Sequence, residues 1–468
     1  MPVSERKLPL NFDTRTKFSI FAVEKKMIRK YTRIMLVLLL CSMTGGYASA
    51  QSTSGGGNGV LSAYSRYGFG QLNDALIGRQ TGMGGIGLGL REGAQVNVSN
   101  PASYSKCDSL TFLIDAGVSL ENANFDNGST RMNAKSASFD YIAMQFRAFK
   151  NIGVSFGFVP YSKIGYSFST LHDIISDKYG DVTPYSTFTG SGGLSEGYIG
   201  VGAKVFAGLS VGFNFNYLFG DMTHTVENSF SNTAVLSSIR AYTASISTTK
   251  LDFGLQYEQE LGKHDKVTLG ATYSLGHTVG NDATRTDYTY DSANSAVEES
   301  TETVINDAFE LPSAFGIGVA YQRGTKWTVG LDYTSQKWGD VKYPMTTSAG
   351  FVSQKGFLSN RNKVALGMEY TPNSMSRKYL NRVHYRLGGY YSTQYAKVNG
   401  LDGGKEYGLT FGFGLPIQNV WNNRSVVNLS GQWVHVKPAA GQLITENYLR
   451  VVIGLTFDER MFAKWKVN

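Results

Sequence analysis

The sequence predicts an all-β protein, a 14-stranded antiparallel transmembrane β-barrel with an N-terminal hatch that plugs it. Apolar residues alternate with small or polar residues along most of the chain, and no stretch of about 20 apolar residues is present. The 468 residues include 54 glycines, 28 tyrosines and 27 phenylalanines, but only 10 prolines. A barrel places apolar residues at every second position, so this composition fits a β-barrel better than a helical membrane protein.

The first predicted element is a secretory leader over residues 1–50. Basic residues precede a short apolar run at 34–43, and Ala-Ser-Ala follows at 48–50, which is the layout of a signal peptide with its cleavage site. The apolar run is too short to cross a bilayer as a helix. Met27 would begin a leader of ordinary length, so residues 1–26 are interpreted as an upstream start that is not translated.

The leader accounts for most of the positive charge. The whole sequence has 44 Lys and Arg against 36 Asp and Glu, and residues 1–50 contain 9 and 3 of these. The remaining chain has 44 − 9 = 35 basic and 36 − 3 = 33 acidic residues, a net charge of +2. This balance gives no reason to expect a nucleic-acid partner. Cys107 is the only cysteine after the leader, which excludes an intramolecular disulfide and a cysteine-based zinc site.

The second predicted element is the hatch, residues 51–108. Its stretch GMGGIG at 82–87 matches the dinucleotide-binding pattern G-x-G-x-x-G. That pattern requires a strand before it and a helix after it, within a parallel α/β unit. Alternating β-segments follow here instead, so the glycines are interpreted as tight turns of irregular backbone packed inside a barrel.

The barrel is predicted over residues 109–457, with a periplasmic tail at 458–468. Fourteen segments alternate in hydrophobicity, among them 152–170, 266–292 and 301–323. Short turns alternate with long polar loops, as expected for the periplasmic and extracellular ends of a barrel. One connection, at 372–380, is long although it lies on the short-turn side. A soluble β-sandwich also alternates and is the fold alternative.

No catalytic residue, metal site or cofactor is predicted. Ser155 lies in a G-x-S-x-G pattern, but within a strand rather than at the strand-to-helix turn that a nucleophile requires. The six histidines are scattered without the spacing of metal ligands. A lipid-hydrolysing barrel is the enzymatic alternative, and no motif points to it.

Several motifs resemble the FadL family of outer-membrane transporters. They are GMGG at 82–85, REGA at 91–94 and Asn100-Pro101-Ala102 directly before the first strand. SRYG at 65–68 and GLTF at 454–457 are similar to the Bacteroidetes branch of that family. The resemblance implies a 14-stranded barrel in the outer membrane of a Gram-negative cell, with no enzymatic activity. It also implies a functional hatch motif, for which the candidate residues are Gly84, Gly85, Asn100, Pro101 and Ala102.

Pro160 lies in the middle of the predicted third strand. Proline cannot donate to a strand ladder, so it marks either a break in the wall or a harmless bulge. The resemblance implies a side portal at this kinked strand, through which apolar ligands reach the bilayer. Phe69, Leu72 and Met83 are the hypothesised ligand contacts.

Two functions are compatible with the sequence. The first is passive uptake of a hydrophobic small molecule or lipid, with lateral exit near Pro160. The second is a scaffold for protein export or outer-membrane protein assembly, with other outer-membrane proteins as partners. Outer-membrane lipids and lipopolysaccharide surround the barrel in both.

Charged residues that are predicted to point inward are expected to pair across the lumen and with Arg79, Arg91 and Glu92 of the hatch, because buried charges need partners. They are Asp115, Arg147, Lys204, Asp252, Glu258, Asp332, Glu369, Arg386 and Arg450.

Overall fold

The computed structural model describes residues 62–177, 180–232, 235–291, 296–348, 350–398, 400–417, 425–439 and 444–460. The predicted leader lies outside the described residues. Seventeen barrel strands follow the N-terminal segment: β1 Thr111–Asp126, β2 Arg131–Phe149, β3 Ile152–Pro160, β4 Ser162–Leu171, β5 Pro184–Phe206, β6 Leu209–Phe230, β7 Ser237–Glu260, β8 Asp265–Ser274, β9 Ala283–Tyr290, β10 Val297–Ile305, β11 Ala314–Arg323, β12 Trp327–Gln336, β13 Arg361–Tyr370, β14 His384–Thr393, β15 Lys405–Pro416, β16 Val426–Lys437 and β17 Thr445–Arg460.

These strands form a closed antiparallel barrel with 14 wall positions. β3 and β4 share one position, β8 and β9 a second, and β10 and β11 a third, which reduces 17 strands to 14. The last strand closes the barrel by pairing with the first, from Thr111 opposite Arg460 to Asp126 opposite Thr445. The fold class predicted from the sequence is therefore confirmed. β17 extends to Arg460, three residues beyond the predicted end of the barrel, and the remainder of the predicted tail lies outside the described residues.

The outer face of the wall is apolar and the inner face is polar. In β6, Phe213, Phe215 and Tyr217 are 37 %, 42 % and 46 % exposed, whereas Asn214 and Asn216 between them are buried. A soluble sandwich would bury the aromatic face instead. The inverted pattern is that of a barrel whose outer face contacts lipid, and the protein is an outer-membrane β-barrel.

The strands predicted at 266–292 and 301–323 are each divided in two. The first break lies between β8 and β9, and the second between β10 and β11. Gly276 lies in the first break, and a side chain there would place its Cβ 2.6 Å from the backbone nitrogen of Ser313 in the second. The two breaks therefore pack against each other. His277–Val279 and Phe309–Leu311 pair as a separate small sheet.

Residues 62–110, which we call the hatch segment, contact the inner face of the wall, and residues 51–61 of the predicted hatch (51–108) lie outside the described residues. The segment contains three 3₁₀ turns, at Ala63–Arg66, Gly78–Gly82 and Pro101–Lys106, and the hatch strand Gln71–Leu72. Within the described ranges, no helix is long and apolar enough to cross a membrane.

Candidate functional site

The wall is interrupted beside Pro160. β2 pairs with β3 from Phe149 only as far as Ile142, which lies opposite Phe158. The N-terminal part of β2, residues 131–141, pairs with β1 alone within the described strands. β4, which could have been its second neighbour, pairs with β5 and the hatch strand instead. We call the space between β2 and β4 the wall gap.

Glycines on the next two strands accommodate the bend at Pro160. Gly193 on β5 has φ +138°, and a Cβ there would lie 2.5 Å from the Ser162 carbonyl oxygen. Gly220 on β6 has φ +150°, and its Cβ would lie 2.2 Å from the Gly193 carbonyl oxygen. Larger residues at either position would clash with backbone, so the bend depends on glycine in both β5 and β6.

Hatch residues and one side-chain link close the wall gap. The hatch strand pairs with β4, with Gln71 opposite Lys163, and Asn73 Nδ2 donates to the Pro160 carbonyl at 2.9 Å. Lys163 Nζ on β4 donates to Ser138 Oγ on β2 at 2.8 Å and lies 3.9 Å from Asp140 Oδ1. On the outer face, the Phe139 and Phe158 rings lie 6.1 Å apart. The gap thus has a polar link inside and aromatic residues on the lipid side.

The glycines of the predicted hatch motif lie where the hatch backbone touches the wall. Gly84 has φ +66°, and a Cβ there would lie 2.6 Å from the Leu366 carbonyl oxygen. Its N–H donates to Thr410 Oγ1 at 2.8 Å. Gly85 has φ +84° and donates to the Gln80 carbonyl at 3.0 Å. These positions need glycine for conformation and for space, which gives GMGGIG a packing role.

Asn100, Pro101 and Ala102 begin the last hatch turn and are all buried. Asn100 Oδ1 accepts from the Ala102 N–H at 3.1 Å, and Pro101 occupies the first position of the turn. Asn100 Nδ2 donates to the Leu88 carbonyl at 2.9 Å and to the Leu255 carbonyl of β7 at 3.1 Å. One amide therefore caps the turn and attaches it to both hatch and wall. A role of this motif in transport stays a prediction.

An ion-pair cluster fixes the middle of the hatch to β13. Asp74 Oδ1 lies 2.6 Å from Arg361 Nη1, and Asp74 Oδ2 lies 2.7 Å from Lys363 Nζ. Burial alone would raise the pKa of the Asp74 carboxyl, but the charges and hydrogen bonds of Arg361 and Lys363 outweigh it and hold that pKa well below its usual range. No sequence motif marks this cluster, because Asp74 and Arg361 lie 287 residues apart in the chain.

Most other inward charges are paired, partly as predicted. Glu369 Oε2 lies 2.6 Å from Arg386 Nε, and Glu369 Oε1 lies 3.7 Å from Arg79 of the hatch. Arg79 also pairs with Glu92. Asp332 accepts the Gly87 and Leu88 N–H groups at 2.6 and 2.8 Å.

Other predicted charges have different partners. Glu258 pairs with Lys106 at 3.1 Å, Asp252 with Lys250 at 3.2 Å and Arg450 with Glu121, while Arg91 donates to Ser105 Oγ at 3.1 Å. Arg147, predicted to point inward, instead donates to the Phe149 carbonyl at the adjacent turn.

Phe69 and Met83 are packed rather than exposed to a cavity. Phe69 is fully buried, and its ring centroid lies 5.5 to 5.7 Å from those of Phe309, Trp338 and Tyr343. Met83 is also fully buried, in a small cluster of hatch and wall residues. A ligand would reach either only after the hatch moved, and their roles as ligand contacts stay predictions.

A cavity of about 490 Å³ lies among the extracellular loops, beside this aromatic cluster. Arg66 and Tyr67 of the hatch line it together with Tyr166, Met222, Phe309 and Phe351. The Arg66 guanidinium lies 4.0 Å from the Phe188 ring centroid. The lining combines a broad apolar surface with a cation from the hatch, which suits a small apolar or aromatic ligand.

Two smaller cavities separate the hatch from the wall. One, of about 220 Å³, reaches Pro160 and Tyr161 and is also lined by Glu196, Lys250 and Asp252. The other, of about 120 Å³, contains Leu72 among polar and charged side chains. Charged side chains line both cavities, but only the smaller one exposes mainly polar surface, whereas the one beside Pro160 is mainly apolar like the extracellular cavity.

The described part of the chain shows no metal site, and the hydrogen bonds of Ser155 include no histidine or carboxylate. Ser155 Oγ donates to the Met144 carbonyl at 2.9 Å and lies 3.1 Å from the Tyr198 hydroxyl, as expected for a structural serine. No three His, Cys, Asp or Glu side chains among the described residues lie together as metal ligands would. Cys107 is buried, and burial raises the pKa of its thiol to about 11.

Comparison with known proteins identifies one family and a shared fold. The BamG family model matches residues 27–468. Solved structures with the same barrel include the CymD monoaromatic hydrocarbon channel (17% identity, TM-score 0.55, covering 84% of this chain and 100% of that chain). They also include the Ralstonia pickettii toluene transporter TbuX (15%, 0.53, 83% and 99%) and a Pseudomonas aeruginosa FadL homologue (12%, 0.55, 82% and 98%). No curated protein sequence matches the chain. At these identities the likeness to the solved structures is one of fold.

Proposed function

The chain belongs to the BamG family, and from its fold and its interrupted wall we propose that it is an outer-membrane channel for passive uptake of hydrophobic small molecules. The observation that carries the proposal is the wall gap, where Pro160 separates β3 from β4 and β2 has no partner strand beside β4. Channels of the same fold carry monoaromatic hydrocarbons and toluene.

The proposed path begins at the extracellular cavity. A ligand enters among Tyr166, Met222 and Phe351, where the lining is mainly apolar. The aromatic cluster around Phe69 blocks the path from this cavity into the barrel, so the hatch segment must shift before the ligand can pass. The ligand then leaves sideways through the wall gap, between aromatic residues on the lipid face, rather than through the charged lumen.

The hatch and the wall gap are mechanically connected. Asn73 bonds to the Pro160 carbonyl, and the adjacent Asp74 pairs with Arg361 and Lys363. A movement of residues 71–74 would therefore break the ion pairs and uncover the edge of β4 in one step. This coupling is the proposed gating mechanism.

The test is to restore the ladder at the break. Pro160→Val supplies the N–H that proline lacks, so β3 and β4 can continue as one strand and the wall gap narrows. We expect lower uptake of radiolabelled toluene into proteoliposomes, with the barrel still folded. Pro312→Val is the matched control, because Pro312 is also buried but does not lie beside the gap. Unchanged uptake in Pro160→Val would refute lateral exit.

A scaffold in protein export or outer-membrane protein assembly is the second candidate. The observation that favours it is the lumen, where ion pairs hold the hatch and charged side chains line the two cavities beside it. A transporter of apolar molecules would gain from a continuous apolar path, whereas a scaffold needs none.

Purification from native outer membrane in mild detergent distinguishes the two candidates. A tightly bound apolar molecule without a stoichiometric protein supports the channel. A stable complex with other outer-membrane proteins and no bound small molecule supports the scaffold instead.

A further inference from the structure

The connection between β13 and β14 is the longest on the periplasmic side. The turns β2–β3, β5–β6, β7–β8 and β11–β12 have two to four residues and the β15–β16 connection has nine, whereas the β13–β14 connection has 13 and includes a 3₁₀ turn at Tyr379–Asn381. We call residues 371–383 the periplasmic loop. The barrel does not need this length to join two antiparallel neighbours, because a two-residue turn is sufficient.

The periplasmic loop is held in one shape by its own hydrogen bonds. The Asn373 N–H donates to the Asn381 carbonyl at 2.8 Å and closes the loop at its base. Ser376 Oγ accepts from the Lys378 N–H and from Asn381 Nδ2, both at 3.2 Å. These hydrogen bonds order the loop backbone and so fix the positions from which its side chains project.

This ordered loop presents apolar side chains outward. Met375 is 92 % exposed, Leu380 is 70 % exposed and Tyr379 is 43 % exposed. Adjacent Arg377 and Lys378 are exposed as well, and neither has a carboxylate within ion-pair distance in the described part of the chain. The loop contains no acidic residue. It thus combines an apolar surface with positive charge.

The position of Leu380 relates this surface to the bilayer. Its carbonyl accepts from the Tyr385 hydroxyl at 3.1 Å. Tyr385 and Leu387 lie on the same face of β14, and Leu387 is 57 % exposed on the lipid side. Arg386, between them, is buried on the opposite face, towards the lumen. Nearby, the rings of Trp327 and Tyr370 contact each other in a tilted arrangement, with centroids 4.3 Å apart, at the ends of β12 and β13. Leu380 therefore continues the lipid-facing band at its aromatic periplasmic edge.

We propose that the periplasmic loop binds anionic phospholipid of the inner leaflet. Leu380 and Tyr379 enter the boundary between headgroups and acyl chains, and Arg377 and Lys378 bind the phosphates beside it. Continuity with the lipid-facing band favours a membrane over a periplasmic protein as the occupant. This site is independent of transport and would be present in either a channel or a scaffold.

The test is native mass spectrometry of the purified barrel after exchange into equal amounts of phosphatidylglycerol and phosphatidylcholine. We expect wild type to retain phosphatidylglycerol preferentially. The double variant Arg377→Gln/Lys378→Gln should reduce this enrichment by at least about fivefold, since a basic residue near an anionic surface favours binding by roughly that factor. Lys135→Gln, at an exposed position near the extracellular end of β2, is the matched control and should leave the enrichment unchanged.

A second variant, Leu380→Ser, tests the apolar contact separately, and the proteins that copurify from native membrane distinguish a lipid from a protein partner. Leu380→Ser retains the charges but removes the apolar contact, and it should also lower phosphatidylglycerol retention while thermal stability is unchanged. Undiminished enrichment in both variants would overturn the proposal. Loss of a stoichiometric periplasmic protein from native-membrane preparations, with lipid enrichment intact, would overturn it in favour of a protein partner.

Discussion

Lys163 donates a hydrogen bond to Ser138 across the wall gap, with 2.8 Å between Nζ and Oγ. The two residues lie on β4 and β2, which share no backbone pairing in the described strands. Asp140, 3.9 Å from Lys163 Nζ, adds a charge to the same link. A side-chain contact can open without breaking a ladder, so the wall is weakest where the proposed path leaves it.

Removing this link should make lateral exit easier. Lys163→Met eliminates both polar contacts and keeps a side chain of similar length. We expect severalfold faster toluene uptake in proteoliposomes, with little change in thermal stability because the wall strands are otherwise intact. Lys135→Met, an exposed position on the same strand as Ser138, is the control and should behave as wild type. Equal rates in the two variants would count against gating by Lys163.

Removing the hatch carboxylate should loosen the hatch. Asp74→Asn leaves Arg361 and Lys363 without their partner, and we expect a loss of about 1–3 kcal/mol because Asp74 is 26 % exposed and the pair is not fully buried. Cys107, which is buried within the same hatch segment, should then react faster with a maleimide. Asp126→Asn breaks the exposed pair with Arg131 at 2.8 Å and should cost much less than Asp74→Asn, because solvent screens that pair. Similar costs for the two substitutions would show that Asp74 has no special role.

Acid should weaken the same attachment. The pKa of Asp74 is lowered in the folded state, so below the unfolded-state value of about 3.9 the unfolded chain binds a proton that the folded chain does not. The stability from this group is complete at neutral pH and decreases as the pH falls through the acidic range. The melting temperatures of wild type and Asp74→Asn should therefore converge as the pH falls from about 4.5 to about 2. A difference that stays constant over this range would contradict the account.

Gly84 should tolerate no side chain. Gly84→Ala adds a Cβ 2.6 Å from the Leu366 carbonyl oxygen at a positive φ. Gly128, in an exposed turn with φ +90°, has open space around its would-be Cβ. Both substitutions incur a backbone cost of about 1–2 kcal/mol, but only Gly84→Ala adds an overpacking cost of about 1–3 kcal/mol. Thermal unfolding in detergent measures the difference, and equal losses would mean that the hatch does not need a close approach at Gly84.

The sequence predicted the barrel well because alternation is a local property. Which face Asn214 and Phe215 occupy follows from strand geometry alone, and the break at Pro160 follows from a missing N–H. The sequence could not indicate that 266–292 and 301–323 are each divided into two strands. The division depends on a contact between Gly276 and Ser313, which lie far apart in the sequence.

The hatch contacts were predicted only in part. Asn100-Pro101-Ala102 has a local capping function that a sequence can indicate. The attachments of Asp74 to Arg361 and of Lys163 to Ser138 depend on how irregular backbone packs against the wall. Alternation identifies which charges point inward, but not which of them meet, and this is why Arg79 was assigned correctly and Asp74 was overlooked.

The most direct test of the central claim is to cross-link the two sides of the wall gap. The double variant Ser138→Cys/Lys163→Cys lacks the natural link and should take up toluene at least as fast as wild type. The native Cys107 is buried and its thiol pKa is raised to about 11, so a short bis-maleimide should react at the introduced cysteines alone.

After cross-linking, the account predicts that toluene uptake falls to the level of protein-free liposomes. Each single-cysteine variant, treated in the same way, should retain its uptake. Undiminished uptake by the fully cross-linked barrel would contradict lateral exit and with it the proposed channel mechanism.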